Sequence, residues 1–455
     1  MNHQPKAIEA YLEQVPHYDR FLTVDELFET VRRAAREHPD LATYREVGHS
    51  TDGEPIPMLS IGHGPKSALL YACPHPNEPI GAMLVQFLVE ALLKDERLRG
   101  AYTWHLLPCV DPDGTRLNEG WFAGPFTVRA YARSFYRPRG EEQVEWTFPI
   151  SYKRYTWDAP IPETQALMAA LQDTRPSFVY SLHNAGFGGV YYYLSSDVPA
   201  AYPGFYRIPE ALGLFLSKGE PEVPWAEQHA PAIFGMLSVP DAYEYYETYT
   251  DIDPVAMMHG GGSSVDYLKS VGLEGAVTLI TELPYFQAPA VADETKLPIT
   301  RREVLLAGLD HDTEISEALT GLLDRIEPEM TLDSRFWRAS SGFIRSGANA
   351  IESQRQWALN DAATLVPATV AQWADALYVS AFYKILMASM LDRALTAQRA
   401  LGDSGTLTAA QAELQQHLDR WITDIEINLP HTPIPIRKTV QAQLGAMLTL
   451  LPHLH

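Results

Sequence analysis

The run Leu69-Leu70-Tyr71-Ala72-Cys73 is apolar without interruption and then breaks at Pro74-His75-Pro76-Asn77-Glu78-Pro79. A continuous rather than alternating apolar run reads as a strand buried on both faces, as in a parallel sheet covered by helices. Prolines at 74, 76 and 79 forbid both a continued strand and an immediate helix. His75 and Glu78 are therefore presented from a stiff turn at the carboxyl end of a strand, where open α/β sheets place their sites. From Ile80 onward Met83, Leu84, Phe87, Leu88, Ala91 and Leu92 recur at helical spacing. A His and a Glu three residues apart on such a turn can share one Zn²⁺, but the spacing is weakly specific. With 15 His in the chain, about one such pair arises by chance. His311 and Glu314 supply one, in a polar helical stretch with no strand before it. For the bare pair, the alternative is a surface turn with an unimportant salt link.

Around this turn the chain alternates strands and helices. Thr23-Val24-Asp25-Glu26 is a capping box, followed by apolar Leu27, Phe28, Val31, Ala34 and Ala35. Ala42–Val47 and Ile56–Ile61 read as a hairpin about the turn Gly48–Gly53. Tyr102–Val110 predicts a strand that breaks at Asp111-Pro112-Asp113-Gly114, a turn of type I or II. Thr115–Tyr155, rich in Arg and aromatics without a period, reads as a long, structured surface loop. Pro162-Glu163-Thr164 opens a helix to Asp173, Ser177–Leu182 is a strand ending at His183, and Gly189–Ser195 is a further strand. Trp225–Tyr249 is aromatic and irregular. Ala276–Leu283 is a last buried strand with Glu282 near its end, where a carboxylate is costly unless paired or functional. After Thr300 the pattern turns helical, over Arg301–Leu309, Ile315–Ile326, Ala368–Ala400, Thr408–Ile427 and Ile434–Leu451. Trp373, Phe382, Tyr383 and Leu386 read as core residues of that region.

The 455 residues allow one large α/β domain, 1–295, and a helical region, 296–455. Hydrophobic residues make up 46% and charged ones 20%, as in a globular rather than a disordered chain. A net charge of -22 argues against nucleic acid or an anionic membrane as partner. Met1–Phe21 lacks the basic start and apolar core of a secretory signal. The longest apolar stretch, Ala376–Leu391, carries Lys384 and tyrosines and suits a buried helix rather than a membrane span. Cys73 and Cys109 each fall in a predicted core strand and read as reduced, buried thiols of a cytoplasmic protein.

Three strand ends thus carry His75 with Glu78, His183, and Glu282. These are the pieces of a two-His, one-carboxylate zinc centre with a free carboxylate beside it. Such a centre keeps a position for water, whose pKa falls to about 7 on Zn²⁺. A neighbouring carboxylate can then accept its proton. Metal-assisted hydrolysis is the reaction class these residue types fit.

Over roughly residues 20 to 290 the segments resemble the zinc metallocarboxypeptidases of the carboxypeptidase A type. Gly48-His49-Ser50-Thr51-Asp52-Gly53-Glu54-Pro55-Ile56 is similar to that family's G-x-S-x-E-G-x-P-I stretch. His75-Pro76-Asn77-Glu78, Pro112-Asp113-Gly114, and Pro162-Glu163-Thr164 ahead of Ser181-Leu182-His183 follow in the family's order. Gly262-Ser263-Ser264-Val265-Asp266 and Thr281-Glu282-Leu283 complete the series. The resemblance implies an α/β fold with a mixed, mostly parallel sheet of eight strands between helices. It implies His75, Glu78 and His183 as ligands of Zn²⁺, and Glu282 as the general base that activates the zinc-bound water and later protonates the leaving amine. A metallocarboxypeptidase acting on a peptide or small amide is the activity implied.

The departures concern substrate. The family holds the terminal carboxylate with an Asn-Arg pair and polarises the scissile carbonyl with another Arg, since a guanidinium matches these oxyanions. Arg133, with Ala132 in the Asn place, is one candidate carboxylate binder. Glu145-Trp146-Thr147-Phe148-Pro149 is an alternative alignment that leaves a Trp where the Arg belongs. Arg116 and Arg129 are candidates for the polarising role, with exposed, solubilising Arg the alternative for all three. Met257, Met258 and His259 stand where the family has its capping Tyr, with Tyr249 upstream and Tyr267 just after. Val265 sits where the family reads the terminal side chain and favours an apolar or neutral group. Two further readings stay open: a zinc endopeptidase or amidase on cell-wall peptides or an N-acyl or metabolite amide, and a non-catalytic binding protein with a vestigial site. The helical region is a lid, a dimer surface or, in the latter case, the working part.

Overall fold

The computed structural model describes residues 4–454, so Met1–His3 of the polar amino-terminal stretch and His455 lie outside the described residues. Nine strands form one mixed sheet: β1 (Ala42–His49), β2 (Pro55–Ile61), β3 (Lys66–Ala72), β4 (Tyr102–Leu107), β5 (Phe178–Leu182), β6 (Tyr191–Leu194), β7 (Gln228–Ala230), β8 (Ile233–Gly235) and β9 (Val277–Glu282). Their spatial order is β1-β2-β4-β3-β5-β9-β6-β8-β7. The centre, β4-β3-β5-β9, is parallel throughout, and antiparallel pairs flank it on both sides. The sheet has one strand more than the resemblance implies. β7 and β8 are three residues each, too short to show a period of two in the sequence.

β3 explains its own continuous apolar run. Ala68, Leu70 and Ala72 face one core with Leu84 and Leu88 of the Ile80–Lys94 helix and Leu444 and Met447 of the Ile436–Leu450 helix. Leu69 and Tyr71 face a second core with Leu167 and Leu171 of the Pro162–Thr174 helix and Leu268. Both faces are dry, so neither parity of the strand tolerates a polar residue. The capping box at Thr23 forms as predicted, with Glu26 bonding back to the cap.

Two stretches differ from expectation. Thr115–Tyr155 is not a surface loop: it contains the Val128–Ser134 helix, and Trp121, Tyr131, Phe135, Tyr136 and Phe148 along it are buried. Its aromatics pack singly from many directions, which leaves no period. Within Trp225–Tyr249, Val239–Tyr249 is helical behind a Ser238 cap.

After β9 the Arg301–Ile326, Arg335–Asn360, Ser380–Leu401 and Gly405–Asn428 helices pack on one another. The second has no forecast: its buried face carries Ile344, Ile351 and Trp357, with small and polar Ala339, Ser340 and Ser353 between them. Asp375–Val379, just ahead of the third, is a π-helical turn. The Ile436–Leu450 helix then returns to lie against the sheet's covering layer, beside the Ile80–Lys94 and Tyr202–Leu212 helices.

Candidate active site and metal centre

Register builds the site. Ala72 of β3 is level with Leu182 of β5, and Ser181 with Ile280 of β9, so the residues that follow, His75, His183 and Glu282, emerge at one edge. Cys73 stands at φ 53, a left-handed conformation that a side chain adopts only under constraint and that turns the chain toward His75. The helix after Glu78 approaches β5 closely: a Cβ on Gly81 would lie 2.3 Å from Leu182 Cβ. The Asn184 side-chain Oδ1 accepts from Ile80 N–H at 3.1 Å, while the Asn184 backbone N–H donates to Glu78 Oε2 at 3.1 Å. These two bonds tie the His75 turn to the His183 strand end. Gln443 of the last helix donates to the His183 carbonyl at 3.1 Å.

His75 Nδ1 lies 3.0 Å from Glu78 Oε1, and His183 Nδ1 lies 3.1 Å from Glu78 Oε2. All three side chains are buried, and their ligand atoms fall within 4.8 Å of one another. Two imidazole nitrogens and one carboxylate, converging and desolvated, are the donor set of an open zinc site. Glu282 Oε1 is 3.9 Å from His183 Nδ1. Glu145 Oε1 is 3.7 Å from His183 Nε2, placed to orient that ring from outside the donor set. Glu145 also accepts from Ser181 Oγ at 2.7 Å and Ser264 N–H at 3.1 Å, and from the Tyr71 hydroxyl.

The electrostatics show a site short of positive charge. Burial opposes a charged His183, yet the adjacent carboxylates of Glu145 and Glu78 outweigh it and raise the imidazole to about 10. Burial likewise opposes the Glu78 carboxylate, and His75 and His183 overcome it and hold it below the usual range. Burial, then the charge of Glu222, pushes Glu282 well above the usual carboxylate range. Three buried carboxylates facing two imidazoles call for a cation, and a divalent ion meets that demand.

The site opens into a cavity of about 640 Å³. One wall comes from the sheet edge and the Tyr131–Trp146 segment; the other comes from the Arg301–Ile326 and Arg335–Asn360 helices, the π-helical turn and the helix after it. The helical region is therefore neither remote from the site nor needed to move in order to reach it. Val265 lines the cavity beside Ser263 and Ser264, as the sequence suggests.

The predicted arginines do not meet the metal centre. Arg133 is 63% exposed and lies 3.6 Å from Asp419. Arg116 is held by Glu54 at 2.6 Å and Asp25 at 2.7 Å. Arg129 pairs with Asp419. Each is drawn outward by a carboxylate with which it makes an ion pair. The guanidinium in the cavity is Arg137, which donates to Glu78 Oε1 at 3.2 Å and to Gln143 Oε1 at 3.2 Å. Its one local signal is Pro138, which disfavours helix at 137, past the helix end at Ser134. Glu145-Trp146, the alternative alignment, is in the wall while Arg133 is not. Two substrate candidates also lie outside the cavity wall. His259 is half-exposed, 3.9 Å from Glu141, and Tyr249 stacks against Tyr245 with ring centroids 5.1 Å apart. Tyr383, read as core, instead lines the cavity, where its hydroxyl accepts from Gly186 N–H at 3.2 Å. Phe382 and Leu386 are fully buried, as expected. Cys73 and Cys109 are free, buried thiols.

Comparison with known proteins gives a match to the zinc carboxypeptidase family over residues 28–215. Among solved structures the chain is similar to carboxypeptidase A from Helicoverpa armigera, at 13% identity over 62% of this chain and 71% of that one, TM-score 0.38. It is also similar to a metallo-carboxypeptidase from Burkholderia cenocepacia, at 15% identity over 62% and 60% of the two chains, TM-score 0.30. A third is bovine thrombin-activatable fibrinolysis inhibitor bound to a tick carboxypeptidase inhibitor, at 9% identity over 75% and 97%, TM-score 0.36. Over residues 28–215 the chain matches the zinc carboxypeptidase family, and that stretch holds His75, Glu78 and His183, the three side chains able to hold a metal ion.

Proposed function

We propose that this protein hydrolyses the amide bond of a small peptide or acylated amine, with Glu282 as general base. The observation that carries the reading is the convergence of His75, Glu78, His183, Glu282 and Arg137 on one cavity closed by the helical region. His75, Glu78 and His183 would hold a Zn²⁺, which when bound would supply Lewis acidity and a water of pKa lowered to about 7. Glu282 takes a proton from the attacking water and returns it to the leaving nitrogen. Arg137, on the Glu78 side, is placed to stabilise the oxygen that gains charge at the scissile carbon. Glu145 keeps the His183 ring oriented through Nε2.

Strict carboxypeptidase action is the second reading. The wall bears Glu145-Trp146 in place of an Asn-Arg pair, and a carboxylate there repels the free terminus of a peptide, so a C-terminal carboxylate is not required of the substrate. The two free thiols support the further proposal of a reducing, cytoplasmic setting.

One experiment addresses both readings. Purified protein is assayed for zinc and for hydrolysis of paired dipeptides, free acid against C-terminal amide, alongside Glu282→Gln and His75→Ala. We expect stoichiometric zinc in the parent and in Glu282→Gln, loss of zinc in His75→Ala, and turnover in Glu282→Gln lower by about 10²- to 10⁴-fold. Absence of zinc from the parent, or full activity in Glu282→Gln, refutes the proposal. Hydrolysis confined to the free acids returns the case to a carboxypeptidase.

A further inference from the structure

The cavity has more carboxylates than its chemistry uses. Glu78 and Glu282 belong to the metal centre. Asp312 is paired with Lys384 at 2.9 Å, and Glu220 with Arg301. Glu145 is taken up by Ser181 Oγ, Ser264 N–H and the Tyr71 hydroxyl; among the described residues Glu222 and Asp375 remain, with no cationic partner, and both line the cavity. Glu222, open to solvent, accepts from the Tyr191 hydroxyl. Asp375, partly buried in the π-helical turn, accepts from Glu220 N–H at 3.3 Å. The two are brought together because the Lys218–Glu222 loop presses on the turn: a Cβ on Gly219 would sit 2.7 Å from Asp375 Cβ. π-Helical turns recur at functional sites, where the extra residue re-aims a side chain.

A second, independent feature points to a ligand. The Tyr193 side chain is only 3% exposed, lines the same cavity, and its hydroxyl has no partner within hydrogen-bonding distance among the described residues. Tyr191, Tyr193 and Phe234 form a ring cluster with centroids 5.7 to 6.3 Å apart. Aromatic faces beside unpaired carboxylates are a setting that binds ammonium and guanidinium groups. The cluster stands next to the reacting end of the cavity, because Tyr191 is the register partner of Glu282.

We propose that Glu222, Asp375 and the Tyr191–Tyr193–Phe234 rings form a subsite for a cationic group, so that the substrate is a small amide carrying an ammonium or guanidinium. This rests on the hydrolase reading for the word substrate, while the subsite itself is a matter of binding. It also places specificity in residues outside the family's matched stretch, since Glu222 and Asp375 both follow residue 215. Val265 meets an uncharged part of the same molecule.

The test separates binding from turnover. Zinc-loaded parent protein, Glu222→Gln and Asp375→Asn are titrated calorimetrically with L-arginine and with L-citrulline, which replaces guanidinium by a neutral urea of the same shape. Melting temperature and zinc content show whether each variant is folded and loaded. We expect arginine to bind at least about tenfold tighter than citrulline in the parent, and each variant to lose most of that ratio. Equal binding of the two, binding of neither, or an arginine preference untouched by both substitutions overturns the proposal. An arginine preference in a protein that cleaves no amide leaves the subsite standing and refutes the hydrolase reading; cleavage without charge preference does the reverse.

Discussion

Arg133 and Arg137 are one helical turn apart in sequence, and only one of them reaches the metal centre. Nothing local separates them except Pro138; the choice is made by Asp419, nearly three hundred residues away, which holds Arg133 on the outside. Single carboxyls also carry testable consequences. Burial, followed by the charge of Glu220, raises the Asp375 carboxyl from 3.8 to about 8. Between those values the folded, unliganded chain holds a proton on Asp375 that the unfolded chain has lost, so stability falls as pH rises through that window, and a cation at the Glu222–Asp375 subsite binds by displacing that proton. Asp375→Asn removes this dependence. Its melting temperature should rise progressively above that of the parent between about pH 5 and pH 8, and parallel curves over that range would show that Asp375 is not protonated in the fold. The neighbours Glu222 and Glu220, the latter paired with Arg301, are unchanged in the variant and cancel from the comparison.

At the scale of elements, the alignment of strand ends depends on how closely the Ile80–Lys94 helix approaches β5. Gly81 is the point of contact, with Leu182 Cβ in the space that a side chain would occupy. Gly81→Ala should therefore destabilise the protein by about 1–3 kcal/mol, as overpacking does, and weaken zinc binding by moving Glu78 away from His183. Thermal unfolding and zinc titration check this; an unchanged melting temperature would mean that the helix can slide without cost. The elements around this contact were legible in advance, and for a physical reason. β3, β5, β9 and the helix after Glu78 are long enough and apolar enough for local pattern to specify them. β7 and β8 were not legible, because three-residue strands have no period, and the Arg335–Asn360 helix was missed although Ile344, Ile351 and Trp357 mark its buried face, because Ala339, Ser340 and Ser353 interleave with them.

On the scale of the whole molecule, the helical region and the sheet share the cavity and share a core. The last helix buries Ile436, Val440, Leu444, Met447 and Leu450 in the layer that covers the sheet, and its Gln443 holds the His183 carbonyl. A chain ending at residue 433 should therefore lose cooperative unfolding or precipitate, having exposed several large apolar side chains worth about 1.5–3 kcal/mol each. Circular dichroism melts of the truncated and full chains decide the matter; a soluble truncated chain that melts as sharply and binds zinc would show that the sheet region stands alone. The sequence by itself determined the candidate metal centre and its neighbouring carboxylate: His75, Glu78, His183 and Glu282 each end or follow a buried strand, and a strand's place in a parallel sheet is written in its own apolar run. Which arginine serves it, what closes over it and which carboxylates stay unpaired were decided by tertiary structure alone. Arg137, Tyr383, Glu222 and Asp375 acquire their roles from partners far away in the chain, and a contact of that kind leaves no pattern among a residue's own neighbours.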